Sequence, residues 1–203
     1  MVIYKSISDA VENIKCDQSK IIGVAGGSCS GKTYFASLLA KKLRGSTLSM
    51  DDYYKGVSCM KDNNFDHPDA IDLELWNDHL KQIKEAQVID KPAYSFKIHE
   101  RQGFRQWQPV FPVIVEGLFA LLSPQANELD LKIFVDSRSD IRLNRRIKRD
   151  VALRGRSQDD VKKQWYASVE PMHKQYVVLQ QNKADIIVYN SGKGDASIFV
   201  QSQ

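Results

Sequence analysis

The stretch IIGVAGGSCSGKTYFASLLAKKLRG, residues 21–45, decides how the chain folds. A short apolar run ends in glycines and a Gly-Ser loop follows it. Phe35, Leu38, Leu39 and Leu43 then recur on one helical face, and Gly45 offers a stop. Strand, loop and helix are expected in that order. Gly26, four intervening residues (Gly27, Ser28, Cys29 and Ser30), then Gly31, Lys32 and Thr33 satisfy the pattern G-x-x-x-x-G-K-[ST]. That spacing lets successive backbone N–H groups point inward around a phosphate at a helix N-terminus, where the dipole also favours an anion. Lys32 can reach the outer phosphates of a nucleotide such as ATP, and the Thr33 hydroxyl can bind Mg2+. Position 29 needs only its N–H, so the Cys29 thiol is expected to be incidental to phosphate binding, although its oxidation or alkylation there would block a nucleotide.

Further apolar runs are TLSM (47–50), VIVEG (Val113–Gly117), LKIFV (131–135) and ADIIVY (184–189). Each is short enough for a strand and too uniformly apolar to expose one face, as expected of a parallel sheet covered on both sides. Helical patterns over 72–85, 140–153 and 158 to about 180 separate most of them, the last interrupted at Pro171. The expected fold is α/β, doubly wound, with about five parallel strands in a single domain of 203 residues. Ile3, Ile7, Ala10, Val11 and Ile14 predict an amphipathic helix within residues 1–19. Residues 89–112 break the alternation: they are rich in aromatics, carry Pro92, Gly103 and Pro109, and read as a hairpin-like insertion over the sheet. The tail after Tyr189 is weakly patterned and is expected to fray.

Twenty-nine basic against 25 acidic residues give a formal charge of +4, too mild to mark a nucleic-acid binder but suited to anionic ligands. Three widely spaced cysteines, Cys16, Cys29 and Cys59, make no C-x-x-C pair, so neither a disulfide framework nor a zinc site is indicated and a reducing cytoplasm is the expected compartment. Lys5, Asp9 and Glu12 interrupt the first twenty residues, and no apolar run approaches a spanning length, so no membrane association is expected.

Glu116 ends the run VIVEG, where such folds hold a magnesium ion or its water. Asn182, Lys183, Ala184 and Asp185 spell the guanine motif of GTPases, but they precede a strand rather than follow one, and no D-x-x-G occurs to serve as a switch. Arg142, Arg145, Arg146 and Arg149 fall at i, i+3, i+4 and i+7 and line one helix face, while Leu143, Ile147 and Val151 line another that can pack on the core. With Arg154 and Arg156 beyond it, the stripe suits a lid over phosphates, and with no second basic patch a nucleic-acid groove is the poorer reading. A kinase also needs a base, and Asp51 or Asp52, directly after the second strand run, stands at the sheet edge where ligands collect.

Taken in order, GVAGGSCSGKTYFA, LSMDDYYK, FDHPDAID, KPAYSFKIHER, VIVEGLFAL, LKIFVDSRSDIRLNRRIKRDVALRGRS, VEPMHKQY and ADIIV resemble the uridine kinases of the phosphoribulokinase/uridine kinase family over nearly the whole chain. The resemblance implies transfer of the ATP γ-phosphoryl group to the 5′-hydroxyl of uridine or cytidine in pyrimidine salvage, with homo-oligomers common in the family. It implies Asp51 as catalytic base and metal-shell ligand, and Tyr54 near the nucleoside. Asp66 matches the residue that binds the ribose hydroxyls, with Phe65 packing nearby. Tyr94 and His99 match base-reading positions and Phe96 a stacking one. Arg146 matches a ribose contact, Arg149 and Arg154 match phosphate-clamping residues of a lid over 149–163, and Arg156 and Gln164 match further substrate positions. His79 and His173 are expected to be surface or packing residues, and His67, beside Pro68, to hold a turn. The sequence departs from the family in a short segment between Lys55 and Phe65, at Cys29 where glycine is common, and at Tyr189, Asn190 and Ser191, where the family usually has Pro-Arg-Gly. Relatives phosphorylate other hydroxyls, including those of nicotinamide riboside, pantothenate and ribulose phosphate, which leaves these as alternative acceptors. A nucleotide-binding regulatory or nucleic-acid-associated module is the non-enzyme alternative.

Overall fold

A computed structural model describes residues 1–16, 20–59, 64–122 and 124–192, so residues 60–63 of the short segment and the tail from 193 lie outside the described residues. Six parallel strands form the central sheet. They are β1 (Val2–Tyr4), β2 (Ile21–Gly26), β3 (Ser46–Ser49), β6 (Val113–Gly117), β7 (Leu131–Asp136) and β8 (Ile186–Tyr189), in the order β1-β8-β7-β2-β6-β3. Two more strands, β4 (Ile89–Ser95) and β5 (Glu100–Trp107), form a separate antiparallel hairpin. Every residue of β2 and β6 is buried, because these two inner strands have helices on one face and helices plus the hairpin on the other. The period-2 alternation of a strand sends Ile22 and Val24 to the face covered by α1 (Ile7–Asn13) and α2 (Lys32–Leu43), and Ile21 and Ala25 to the opposite face, with Leu48, Phe134 and the Trp76 and Leu80 of α3 (Leu73–Lys84). Among the described residues no helix is long and apolar enough to cross a membrane.

The sixth strand corrects the expected N-terminal helix. Residues 2–4 pair in parallel with β8, Val2 with Ile186 and Ile3 with Ile187, and the helix begins only at Ile7, where the Ser6 hydroxyl accepts the Asp9 N–H. Ile7, Ala10 and Ile14 keep the buried face that their spacing predicts. At the end of α2 the left-handed residue is Arg44, with φ of 54°, and not Gly45. Gly45 is required for another reason: a Cβ there would lie 1.9 Å from the Pro112 carbonyl oxygen, so only glycine lets the two backbones approach.

Two helices depart from the expectation more informatively. In α4 (Ser139–Arg154) the buried residues are Arg142, Arg146 and Asp150, whereas Val151, assigned to the core-packing face, is 45% exposed. The charged face turns inward because its partners are there: Arg142 donates to the Ser137 carbonyl and to Glu170, and lies 5.1 Å from the Trp165 ring centre. The last helical stretch starts with α5 (Gln158–Gln164) and does not stop at Pro171. Wide π-type turns over Trp165–Val169 and His173–Val177 flank the one-turn α6 (Glu170–Met172), which holds the proline at its start, where a missing N–H is tolerated.

Ile22 is fully buried in the central strand, so Ile22→Ala removes side-chain volume where neither sheet face can collapse. It should cost about 2–5 kcal/mol. At roughly 2–4 °C per kcal/mol for a domain of this size, the melting temperature read by circular dichroism should fall by about 5–15 °C.

Candidate active site

Within the loop between β2 and α2 the Ser30 N–H donates to the Gly27 carbonyl at 3.0 Å, and the carbonyls of Cys29 and Ser30 look to other elements for donors. Those carbonyls are met. Arg145 Nη1 donates to the carbonyls of Cys29 (3.3 Å) and Ser30 (3.4 Å), and Asn190 Nδ2 donates to the Ser30 carbonyl at 2.8 Å. Arg145 Nη2 in turn donates to Asn190 Oδ1 at 3.0 Å, and Ser137 Oγ donates to the Asn190 carbonyl at 2.8 Å. Gly31 opens α2 at φ of 100°, and a Cβ there would sit 2.4 Å from Asn190 Nδ2. Cys29 is also left-handed, with φ of 59°, a conformation that favours glycine. Lys32 is buried at the first turn of α2.

The register of the sheet builds the neighbouring polar cluster. Ser49 pairs with Glu116 across β3 and β6, and both stand at the C-terminal ends of their strands, beside the first turn of α2. Ser49 Oγ donates to Glu116 Oε1 at 2.6 Å, and Thr33 Oγ1 donates to Oε2 at 3.1 Å. Burial raises the Glu116 pKa above the ordinary carboxylate value, against the pull of Lys32 and the two hydroxyls and with a further push from Asp51. This is a set of hard oxygen donors around a carboxylate that lacks a full counter-charge.

Asp51 and Asp52 lie in the short helical turn Met50–Tyr53, capped by Ser49, whose hydroxyl accepts the Asp51 N–H at 3.3 Å. Their carboxylates have different fates. Asp52 forms an ion pair with Lys91, a buried lysine on β4, whereas the Asp51 side chain makes no hydrogen bond or ion pair to any described residue. The structure leaves Asp51 available and Asp52 occupied.

Beyond this turn the aromatic residues singled out in the sequence gather into one cluster. The Tyr54 ring lies 5.6 Å from Phe65, 5.4 Å from Tyr94 and 6.2 Å from Phe96, and Phe65 lies 5.0 Å from His99. Asp66 is buried beside them and accepts from Ser168 Oγ at 3.3 Å; burial raises its pKa, and Arg146 and Ser168 oppose the rise. Arg146 connects this region to the loop, since Nη1 donates to Ser28 Oγ at 2.8 Å and Nη2 to Gln164 Oε1 at 3.1 Å. Arg156 Nη1 donates to the same Gln164 oxygen at 2.5 Å. Arg149 donates to Asp150 at 2.8 Å, and Arg154 lies over the Phe96 ring at 5.2 Å, so the arginine segment touches the hairpin.

The histidines divide as follows. His67 caps the turn Pro68–Ala70 through the Asp69 N–H, and its Nε2 is 2.9 Å from the Tyr176 hydroxyl. His79 is buried and pairs with the Tyr53 hydroxyl at 2.8 Å, and burial lowers its pKa. His173 is buried too, its pKa pushed down to about 4 by burial and then by Arg142, so it packs as a neutral ring. Sequence reasoning did not single out Ser49, Ser168, Lys91 or Asp150, and met Asn190 only as a departure from the family pattern. Asp150 alone carried a signal, as the one acid inside the arginine run.

A G-x-x-x-x-G-K-[ST] loop between a buried parallel strand and a helix, with Thr33, Ser49 and Glu116 clustered beside it and the arginines of α4 against it, defines a P-loop kinase. The particular family follows from comparison. The model of the phosphoribulokinase/uridine kinase family matches residues 21–197, and the chain belongs to that family. A uridine kinase of Clostridium botulinum is 39% identical over 188 residues, covering 88% of this chain and 91% of that one. A uridine kinase of Bacillus pumilus is likewise 39% identical over 188 residues, covering 88% and 90%. In fold, the chain is similar to the solved structure described as a possible uridine kinase from Bacillus stearothermophilus, with a TM-score of 0.63, 17% identity, and coverage of 90% of this chain and 96% of that one.

Two predictions follow from the loop and its carboxylate. A carboxyl whose folded pKa is raised stabilises the fold fully below its unfolded pKa, and that contribution is lost as pH rises through the folded value. Glu116→Gln should therefore melt at a higher temperature than the parent protein when both are free of ligand. The gap should open as pH climbs from about 4 and level off once Glu116 is ionised in the fold. Melting curves between pH 4 and about 8 check this, and a gap that shrinks with rising pH contradicts it. Cys29→Gly should keep the rate of phosphoryl transfer within about threefold, because the loop uses only backbone at that position. The β-branched Cys29→Val should weaken nucleotide binding measured by calorimetry.

Proposed function

We propose that the chain transfers the γ-phosphoryl group of ATP to the 5′-hydroxyl of uridine or cytidine, yielding ADP and the nucleoside monophosphate, a reaction of pyrimidine salvage. One observation carries the choice of acceptor: the aromatic cluster of Tyr54, Phe65, Tyr94, Phe96 and His99 adjoins the buried Asp66 and Arg146, and Arg146 reaches the phosphate loop. Such a cluster offers apolar ring surface to a planar base, with a carboxylate for two sugar hydroxyls and a cation linking them to the donor. The two curated relatives described above bear the name uridine kinase, which supports the same acceptor.

In this reading the loop N–H groups of residues 26–33 and Lys32 hold the ATP phosphates. Asp51 accepts the 5′-hydroxyl proton as the oxygen attacks the γ-phosphorus. The new O–P bond forms in line while the bond from phosphorus to the β–γ bridging oxygen breaks, and ADP departs with that electron pair. Asp66 takes the ribose hydroxyls with Arg146, the aromatic rings sandwich the base, Tyr94 and His99 read its edge, and Arg156 and Gln164 hold the sugar side. Arg149 and Arg154 balance charge on the transferring group. Thr33, Asp51 and Glu116 are the residues that would hold Mg2+. Their oxygen donors suit it, and a cation would offset the burial that raises the Glu116 pKa. When bound, the ion neutralises charge on the β- and γ-phosphate oxygens. The free thiols of Cys16 and Cys29 fit work in a reducing cytoplasm.

Purified protein with ATP and Mg2+ should phosphorylate uridine and cytidine in preference to nicotinamide riboside and pantothenate, followed by coupled ADP release and chromatography of the product. Failure to turn over any pyrimidine nucleoside would overturn the acceptor. Asp51→Asn should lower kcat by about 10²–10⁴-fold while ATP affinity persists, and near-normal turnover would exclude Asp51 as the base.

A further inference from the structure

Asp150 sits in the last turn of α4 with its side chain fully buried, and the arginines assigned above to the sugar and the phosphates converge on it. Arg149 Nε donates to Oδ1 at 2.8 Å, and Arg154 Nη1 lies 3.6 Å from the same oxygen. Arg146 Nε and Arg156 Nη1 face Oδ2 at 3.5 and 3.8 Å, at ion-pair distance rather than in hydrogen-bond geometry. The chain reversal after α4 closes on the same residue, because the Asp150 carbonyl accepts the N–H of Gly155, which caps the helix at φ of 62°, and that of Arg156 at 3.2 Å. Burial alone would raise the pKa of this carboxyl, but Arg149 first, and then Arg154 and Arg146, hold it below the ordinary value, so it is ionised at neutral pH.

Four guanidinium groups around one carboxylate leave the cluster strongly positive, and without the carboxylate they would repel one another. A fully buried carboxylate is itself costly unless its partners are fixed. Both facts make Asp150 the point that sets where the guanidinium groups stand. Its carboxylate touches neither the phosphate loop nor the aromatic cluster in any hydrogen bond or ion pair among the described residues.

We propose that Asp150 is a positioning residue, an internal anion that fans Arg146, Arg149, Arg154 and Arg156 into place ahead of the donor phosphates and the nucleoside. The inference rests on the reading of those arginines as substrate and phosphate ligands. It has a signature that a merely structural residue lacks. The Asp150 charge competes with the charge of ATP for the same guanidinium groups, so removing it has opposite effects on binding and on turnover.

Asp150→Asn keeps the shape and deletes the charge. ATP alone, titrated by calorimetry, should bind about fivefold more tightly, because one opposing charge has left the site. Turnover should fall about 10–100-fold as the arginines lose their alignment, with a raised KM for the nucleoside. Weaker or unchanged ATP binding by a folded Asp150→Asn protein would overturn the proposal. Asp150→Glu keeps the charge but moves it by one methylene. It should bind ATP within about twofold of the parent while losing at least about fivefold in kcat. Parental kcat in Asp150→Glu would overturn the proposal even if the Asn variant does not fold. The ATP titration needs no acceptor, so a parent protein that ignores pyrimidine nucleosides defeats the assigned substrate, whereas loss of the affinity shift defeats the role of Asp150.

Discussion

The carbonyls of Cys29 and Ser30 must find donors, because a loop that aims its N–H groups at a phosphate aims its C=O groups the other way, and buried backbone polar groups are rarely left unpaired. Arg145 and Asn190 supply those donors from two different elements, α4 and the residue after β8. Much follows from that choice. A helix that must place a guanidinium against the loop has to turn a basic face inward, so Arg142 and Arg146 are buried with it, while Val151 and Leu153 are left outside at 45% and 64% exposure. The arginines of the segment over 149–163 thus hang from a helix already clasped to the loop. Their placement relative to the loop is fixed by the same contacts that hold the loop carbonyls.

The site is also where the fold carries unfavourable charge. Glu116 and Asp66 are buried carboxylates whose pKa values burial raises despite nearby cations and hydroxyl donors. Neither is neutralised as Asp150 is, which meets four arginines and is driven the opposite way. A carboxylate left short of counter-charge in a buried place destabilises the empty protein, and ligands that bring a cation or a pair of hydroxyls relieve that cost. The carboxylate matched by several arginines makes no hydrogen bond or ion pair to the loop or the aromatic cluster among the described residues, and the two short of counter-charge lie beside them.

The sheet was legible because its strands are buried on both faces and read as uniform apolar runs. The phosphate loop was legible because its chemistry needs a fixed spacing between Gly26 and Thr33. What escaped the sequence depended on partners distant along the chain. The first strand, Val2–Tyr4, is three residues long and owes its form to pairing with Ile186, Ile187 and Val188. The inward turn of the α4 arginines was invisible because amphipathic patterning places charge outward by default, and the acceptors that reverse it lie on the loop, on Glu170 and on Gln164. Pro171 looked like a break, but the wide turns on either side give the chain room to continue. Position alone left Asp51 and Asp52 equivalent and the family resemblance named Asp51; the structure adds that Asp52 is engaged by Lys91, a residue with no motif of its own.

That lysine shows how the hairpin is tied to the turn that follows β3. Lys91 grips Asp52 from β4, while Arg101 on β5 reaches Asp72 at 3.2 Å and the carbonyls of Tyr53 and Tyr54 at 3.5 Å. The turn bearing Asp51 and Tyr54 is therefore bound on its far side to the hairpin that carries Tyr94, Phe96 and His99. Asp51 and the aromatic cluster are thereby fixed to one another through ion pairs and hydrogen bonds, so their relative geometry survives motions that would separate elements joined only through solvent. The arginine segment meets this unit at the Arg154–Phe96 contact, which is partly exposed and weak beside the ion pairs behind it. The hairpin is thus held most firmly to the turn bearing Asp51 and most loosely to the arginine segment, because paired charges join the first and a single partly exposed ring contact joins the second.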